Sequence, residues 1–234
     1  MGTAISIEVP GLKNEAVIKM AFERLREIDR RFSPYKKDSE LSEYNRGGLS
    51  EQTLSAEMKF VLHACRSAEE KTGGYFSAWY GDKCDPSGYV KGWAIAEAGK
   101  VLEAKGHNTY CIYVGGDILA RSDGKKVWNI GIQHPLDKQK ILNKLSIING
   151  AAATSGSYER GKHIINPHTK KPAGELLSIT VTGPDIVMAD ILATAAFAMG
   201  REGIDFIGRQ KGYEALAITR EVIGLDLLAA DSHA

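Results

Sequence analysis

Apolar and polar residues alternate from Thr3 to Val9, and this period of two predicts a β-strand at the start of the chain. Further along, apolar residues recur every three or four positions, and Asn14 is suited to cap the first such stretch. The pattern predicts three helices in the first half of the chain, at about 14–31, 55–71 and 93–105. The polar stretch between Phe32 and Gly48 predicts a loop.

The second half of the chain is richer in β-branched residues. Its apolar runs predict strands near 110–114, 127–132, 145–148, 178–182 and 215–219, with helices at about 186–199 and 203–211. Strands grouped together, with helices before and after them, favour an α+β fold over a doubly wound parallel sheet. Since no repeat, low-complexity tract or linker interrupts the pattern, residues 1–234 are interpreted as one compact domain.

Composition and charge exclude several classes of protein. Apolar residues make up 43% and charged residues 25%, which excludes general disorder. A formal net charge of +1 argues against a large nucleic-acid-binding face. The apolar stretch 191–199 is about half of the ~20 residues needed to cross a bilayer, and no signal peptide is visible. We therefore expect a cytoplasmic protein without membrane insertion. The three cysteines fit buried reduced thiols better than a disulfide framework or a zinc site.

The strongest local signal for chemistry is an alanine-rich apolar segment that contains Asp190 and Thr194. Residues four apart lie on one face of a helix, and a buried carboxylate must be paired or hold a metal. A carboxylate, a hydroxyl and backbone carbonyls suit a hard cation such as Mg²⁺. The alternative is structural: Asp190 starts the helix and Thr194 bonds back to its backbone.

Three other segments carry candidate binding groups. The small residues Ala151–Ser157 would admit a ligand to the backbone, or they pack tightly. His163, which follows them, is a suitable proton acceptor, although a histidine in a strand-like run is usually structural. Lys91 stands among glycines just before the helix predicted at 93, where it would meet an anion. Gly115-Gly116-Asp117 is not a dinucleotide fingerprint, and a plain turn is the other interpretation.

Together these segments resemble the ApbE family of Mg-dependent FAD:protein FMN transferases over nearly the whole chain. The matching segments occur in family order and are Met1-Gly2-Thr3, Phe32-Ser33-Pro34-Tyr35, Ser39-Glu40-Leu41 with Asn45, Gly74-Tyr75-Phe76, Gly88 to Ala94, Gly115 to Ile118, Ala153 to Gly156, His163 to Pro167 and Asp190 to Phe197. The resemblance implies a compact domain with a mainly antiparallel sheet and flanking helices.

The resemblance also implies an activity. Family members transfer FMN from FAD to a threonine of an acceptor flavoprotein and release AMP, and some hydrolyse FAD to FMN and AMP. The implied metal ligands are the side chains of Asp190 and Thr194 and the backbone carbonyl of Val90, which we place in a loop at 88–91. The ion is Mg²⁺, with Mn²⁺ as an alternative, and His163 is the implied base.

The residues implied to bind FAD come from several of the matching segments. They are Met1, Tyr35, Tyr89, Lys91, Gly115, Gly116, Asp117, Thr154, Ser155 and Gly156. Tyr35, Tyr89 and Trp93 are the aromatic candidates for contact with the rings of FAD, and ordinary core packing is their alternative role.

The chain departs from the family pattern at several positions. Val90 and Ser77 stand where the family has alanine and aspartate, and Asn166 and Lys170 replace the aspartate and glycine of its His-x-x-Asp-Pro-x-Thr-Gly run. No lipobox cysteine is visible, so the chain resembles a short cytosolic form. Three functions stay open from the sequence: an FMN transferase, an FAD pyrophosphatase, and a flavin-binding protein without catalysis.

Overall fold

The structure, a computed structural model, describes residues 3–134, 137–156, 164–219 and 227–230. Of these, Lys138 and residues 227–230 are described by backbone alone. In these ranges seven strands form one sheet in the order β1-β4-β5-β8-β9-β10-β11, and every neighbouring pair is antiparallel. Those strands are β1 (Ile5–Glu8), β4 (Tyr110–Val114), β5 (Asp117–Arg121), β8 (Gly150–Gly156), β9 (Leu176–Gly183), β10 (Glu214–Thr219) and β11 (Leu227–Ala230).

Two hairpins are paired separately from this sheet. One joins β2 (Trp79–Tyr80) to β3 (Lys83–Cys84), and the other joins β6 (Trp128–His134) to β7 (Asp137–Ile147). The short first hairpin leads directly into the segment Asp85–Ser87.

The helices in the described ranges lie before, between and after the strands. They are α1 (Ala16–Phe32), α2 (Glu40–Asn45), α3 (Ala56–Lys71), α4 (Ser87–Glu103), α5 (Ile186–Met199) and α6 (Glu202–Gly208), with a single 3₁₀ turn at Glu51–Thr53. α4 packs between α1 and α5, and α5 lies against β8 and β9. None of these helices is long and apolar enough to cross a membrane.

The core fills the space between these helices and the sheet. α5 is buried almost throughout, since its alanines let α4, β8 and β9 approach it closely. Its N-cap is Asp185, whose side chain accepts a hydrogen bond from the Met188 N–H at 2.7 Å. Asp190 therefore does not start the helix, and that interpretation of the sequence is wrong.

The structure confirms the α+β class and the mainly antiparallel sheet, and it corrects several local boundaries. α4 begins at Ser87, not near residue 93, so residues 88–91 form a helical turn and not the loop expected from the sequence. The small residues from Ala151 to Gly156, which the sequence pattern did not assign to a strand, lie in strand β8. α2 occupies part of the stretch expected to be a loop, and its N-cap Ser39 accepts a hydrogen bond from the Ser42 N–H.

Candidate active site

A cleft of about 580 Å³ opens where the start of α4, the β4–β5 turn, the end of β8 and α5 meet. This volume lies within the roughly 300–1,000 Å³ of ordinary small-molecule sites. Ten residues singled out from the sequence line it: Tyr35, Val90, Lys91, Gly115, Gly116, Thr154, Ser155, Gly156, Asp190 and Thr194. The fold thus brings together segments that are far apart in the sequence.

Asp190 is the buried carboxylate of the cleft, only 2% exposed. Its Oδ2 accepts a hydrogen bond of 2.9 Å from the backbone N–H of Gly92. Burial raises the pKa of Asp190 to about 7, with Lys91 opposing the rise and Asp117 adding to it. A cation that approaches this carboxylate would favour its ionised form.

Two glycines of α4 allow its close contact with α5. A Cβ on Gly92 would stand 2.9 Å from the carbonyl oxygen of Ile186 and 3.1 Å from Asp190 Cβ. A Cβ on Gly88 would lie 3.4 Å from Thr194 Oγ1. Glycine inside a helix costs about 1 kcal/mol relative to alanine. Here that cost is offset by the approach of the helix to the carboxylate and the hydroxyl of α5.

The hydroxyls beside Asp190 complete a set of oxygen donors. Thr194 lies one turn after Asp190, and its Oγ1 is 3.5 Å from Ser155 Oγ on β8. Val90, 7% exposed, lies in the first turn of α4 and also lines the cleft. The described residues contain no group of three His, Cys, Asp or Glu side chains suited to a metal. A site here would therefore depend on one carboxylate together with hydroxyls and carbonyls, a set that fits Mg²⁺.

Lys91 places a positive charge between two buried carboxylates. Its Nζ lies 2.8 Å from Asp117 Oδ2 and 3.7 Å from Asp190 Oδ1. Asp117 is fully buried, and its Oδ1 accepts a hydrogen bond of 3.0 Å from the Thr154 N–H. Asp117 thus lies behind the cleft wall and connects the lysine of α4 to the end of β8.

The β4–β5 turn brings backbone to the cleft surface. Gly115 and Gly116 have φ values of 52° and 94°, in the left-handed region that favours glycine. A Cβ on Gly115 would collide with the Thr3 side chain. The turn therefore presents its peptide groups directly to a ligand, opposite Thr154.

Tyr89 and Trp93, both singled out from the sequence, do not line the cleft. Tyr89 is 6% exposed and belongs to the hydrophobic core, not to the cleft lining, because it lies on the α4 face opposite the cleft. Trp93 is also buried, and its ring meets Phe32 edge-on at 5.5 Å. Met1 lies outside the described residues.

His163, the implied base, also lies outside the described residues. The described chain resumes at Ile164, and both Ile164 and Ile165 line the cleft. The assignment of His163 as base stays a prediction from the sequence.

Other residues of the cleft were not assigned a role from the sequence. Asp85 accepts hydrogen bonds from the N–H and the hydroxyl of Ser87, and so fixes the start of α4. Asp85-Pro86 ahead of an apolar run is a recognisable helix-start signal. Asn45, which does not line the cleft, exchanges two hydrogen bonds of 2.8 Å with the backbone of Cys84 and so holds β3 beside α2. Asp29 and Tyr80 also line the cleft, and no motif marked them.

Comparison with known proteins identifies the family. A model of the ApbE family matches residues 1–83 and 81–217, so the chain belongs to the ApbE family. An FAD:protein FMN transferase of Escherichia coli strain K12 is 32% identical over 149 residues, 58% of this chain and 42% of that protein. One from Vibrio cholerae is 26% identical over 272 residues, with 86% of this chain and 80% of that protein covered. The match spans 42% of the Escherichia coli relative and 43% of another relative, from Klebsiella pneumoniae. In both cases this is less than half of the relative's length.

Solved structures agree on the fold. The flavin transferase ApbE from Vibrio cholerae superposes with a TM-score of 0.84 at 23% identity, covering 99% of this chain and 95% of that one. The ApbE protein from Thermotoga maritima gives a TM-score of 0.83 at 20% identity, covering 99% and 94%. The α+β fold described above is thus the fold of these ApbE proteins.

Proposed function

We propose that this chain is an Mg²⁺-dependent FAD:protein FMN transferase. It moves FMN from FAD to a threonine hydroxyl of an acceptor flavoprotein and releases AMP. Membership of the ApbE family supports the proposal, and so do relatives named FAD:protein FMN transferase. The observation that carries it is the meeting of Asp190, Thr194 and Lys91 at one cleft, beside exposed backbone.

FAD is proposed to lie with its pyrophosphate between the β4–β5 turn and the end of β8. Gly115, Gly116 and the segment Thr154–Gly156 line that part of the cleft, and small residues admit phosphate oxygens to backbone N–H groups. Tyr35 lines the same cleft and is 89% exposed, so its ring is free to stack on a planar ring of FAD.

The residues that would hold a divalent cation are Asp190 and Thr194, with the Val90 carbonyl as the third ligand implied by the resemblance. When bound, Mg²⁺ supplies charge neutralisation for the pyrophosphate and for the departing AMP. Mn²⁺ satisfies the same oxygen donors. Lys91 adds a fixed positive charge on the same side of the cleft.

The reaction is a displacement at the phosphorus of the FMN half of FAD. The acceptor threonine oxygen forms the new P–O bond, and the bond from that phosphorus to the bridging oxygen breaks. AMP leaves with the electron pair of that bond. His163 is the proposed acceptor of the threonine proton, a role that contributes roughly 10²–10⁴-fold in rate.

The test is incubation of the purified chain with FAD and Mg²⁺, with and without an acceptor flavoprotein domain. Covalent flavin on the acceptor threonine, detected by mass spectrometry and absent without Mg²⁺, is the expected result. Free FMN and AMP without acceptor, and no covalent product with it, would indicate an FAD pyrophosphatase. Bound FAD that is neither transferred nor cleaved would indicate a flavin-binding protein and contradict the proposal.

A further inference from the structure

Asp117 is a fully buried carboxylate that does not line the cleft. The resemblance suggested that it binds FAD, but the cleft surface around it is formed by Gly116, Thr154 and Lys91. Both of its oxygens face groups of the cleft wall: the Thr154 N–H at 3.0 Å and the Lys91 ammonium at 2.8 Å. These two neighbours connect Asp117 to the cleft.

Among the residues that the structure describes, Asp117 and Asp190 are anionic neighbours of the Lys91 ammonium, which stands closer to Asp117. It is at hydrogen-bond distance from Asp117 and 3.7 Å from the nearer oxygen of Asp190. The Lys91 side chain is 23% exposed and its stem is flexible, so a small rotation would bring it onto Asp190. A lysine paired directly with Asp190 would occupy an oxygen that a cation needs.

We propose that Asp117 is a positioning residue, which holds the Lys91 ammonium away from Asp190 and so keeps that carboxylate available to a divalent cation. This inference rests on the proposed function, which places the cation at Asp190. It assigns Lys91 to the phosphate side of the cleft and Asp190 to the metal. Asp117 separates the two roles through a contact in which its own carboxylate is fully buried.

Asp117→Asn isolates this role. The asparagine carbonyl oxygen can still accept from the Thr154 N–H, so the end of β8 keeps its anchor. The amide cannot pair with an ammonium, so Lys91 is expected to move to Asp190. Asp123→Asn is the matched control, since Asp123 follows the other end of β5, is exposed, and lies outside the cleft.

The experiment measures Mn²⁺ affinity, by electron paramagnetic resonance of the free ion, for the native chain, Asp117→Asn, Lys91→Met and the double variant. Asp117→Asn should weaken Mn²⁺ binding about tenfold, and the same change in the Lys91→Met background should alter it by less than about threefold. Asp123→Asn should match the native chain. Circular dichroism and urea unfolding verify that every variant is folded.

An equal loss of Mn²⁺ affinity in both backgrounds would overturn the inference, because Asp117 would then act without Lys91. Lys91→Met alone provides a second test that does not require Asp117→Asn to fold. If Lys91 already competes for Asp190, its removal should tighten Mn²⁺ binding about tenfold, and that result would also overturn the inference. Affinity unchanged within about threefold supports it.

The same measurement separates this inference from the proposed function. A native chain that binds no Mn²⁺ would contradict the metal site itself. A native chain that binds Mn²⁺ and flavinylates an acceptor, but shows no coupling between Asp117 and Lys91, would contradict only the positioning role. Steady-state kinetics add a further readout: Asp117→Asn should raise the Mg²⁺ concentration needed for half-maximal rate more than it raises KM for FAD.

Discussion

Asp190 on α5 is oriented by Gly92 on α4, whose backbone N–H donates to Asp190 Oδ2 at 2.9 Å. The bond is possible because Gly92 has no Cβ, and a Cβ there would meet both the Ile186 carbonyl and the Asp190 side chain. One carboxylate oxygen is thus fixed by main chain, while the other faces Lys91. The orientation of the proposed metal ligand therefore depends on how closely two helices pack.

Asp190→Ala should abolish Mg²⁺-dependent turnover while the protein stays folded. The substitution removes the only carboxylate among the proposed ligands, and with it the main charge that holds the cation. Flavinylation of an acceptor is measured against Mg²⁺ concentration, with urea unfolding as the check on folding. Asp205→Ala, at an exposed aspartate outside the cleft, is the control and should behave as the native chain. Turnover with unchanged Mg²⁺ dependence in Asp190→Ala would remove Asp190 from the metal site.

The contribution of Asp190 to the stability of the metal-free chain should fall as the pH rises from about 4 to about 7. The pKa of Asp190 is raised by burial from 3.8 to about 7, so in this window the native state keeps a proton that the unfolded state has lost. More protons on the native state mean that the free energy of unfolding decreases with rising pH. Asp190→Asn lacks this titration, so its urea midpoint in EDTA should change less between about pH 5 and pH 8. Identical pH dependence in the two proteins would contradict the raised pKa.

Gly92→Ala should destabilise the chain by about 1–3 kcal/mol, because the added methyl group forces α4 and α5 apart. The same displacement moves the N–H that orients Asp190, so Mg²⁺ affinity should fall as well. Gly174→Ala is the control: a Cβ there meets no atom within 4 Å and its φ is not positive, so it should stay within about 0.5 kcal/mol of the native chain. Equal unfolding free energies for the two variants would show that the helices can absorb the methyl group.

His163→Ala should slow transfer to the acceptor threonine by roughly 10²–10⁴-fold and leave FAD and metal affinity nearly intact. Raising the pH should restore part of the rate, because the threonine alkoxide and hydroxide become less scarce. Turnover at saturating FAD and FAD affinity are measured on the same variant. A joint loss of stability and FAD affinity would indicate a structural histidine, and an unchanged rate would exclude His163 as the base.

The thiols should react slowly with iodoacetamide in the native chain. Burial raises the pKa of Cys84 to about 12 and that of Cys111 to about 11, and it raises the pKa of Cys65 further. A raised thiol pKa leaves little thiolate near neutral pH, and the thiolate is the reactive form. Cys111 is half-buried and should react first, while Cys65 and Cys84 should react only after unfolding in urea. Rapid native-state labelling of Cys84, located by mass spectrometry, would contradict this order.

The elements with a clear apolar period were predictable from the sequence. α5 has the bounds expected for it, Ile186–Met199, and α1 differs by two residues at its start and one at its end. α4 was placed six residues too late, because the glycines at 88 and 92 have low helix propensity in isolation. The packing of α5 against these glycines and the hydrogen bonds from Ser87 to Asp85 account for the helical turn.

The predicted site residues were found through a resemblance, and their mutual geometry was not predictable. Asp190 and Thr194 share a helix, so their proximity follows from spacing alone. The hydrogen bond between Asp117 and the Thr154 N–H joins strands 37 residues apart, and no local pattern encodes it. The aromatic character of Tyr89 suggested a contact with the ligand, but the side chain lies in the core. Which face of α4 meets the core depends on tertiary packing, and the sequence alone does not show it.

The hydrogen bond between Gly92 and Asp190 spans 98 residues of sequence. A ribosome that adds about 5–20 residues per second needs roughly 5–20 s to pass from one partner to the other. During that interval α4 is already synthesised, with the apolar face that α5 will cover still exposed to solvent. Contacts of such long range also slow folding, since the loop between the partners must close first. A nascent chain that stops before α5 thus has Lys91 and Asp117 but no carboxylate for the cation, and it has an apolar helix surface for a chaperone to recognise.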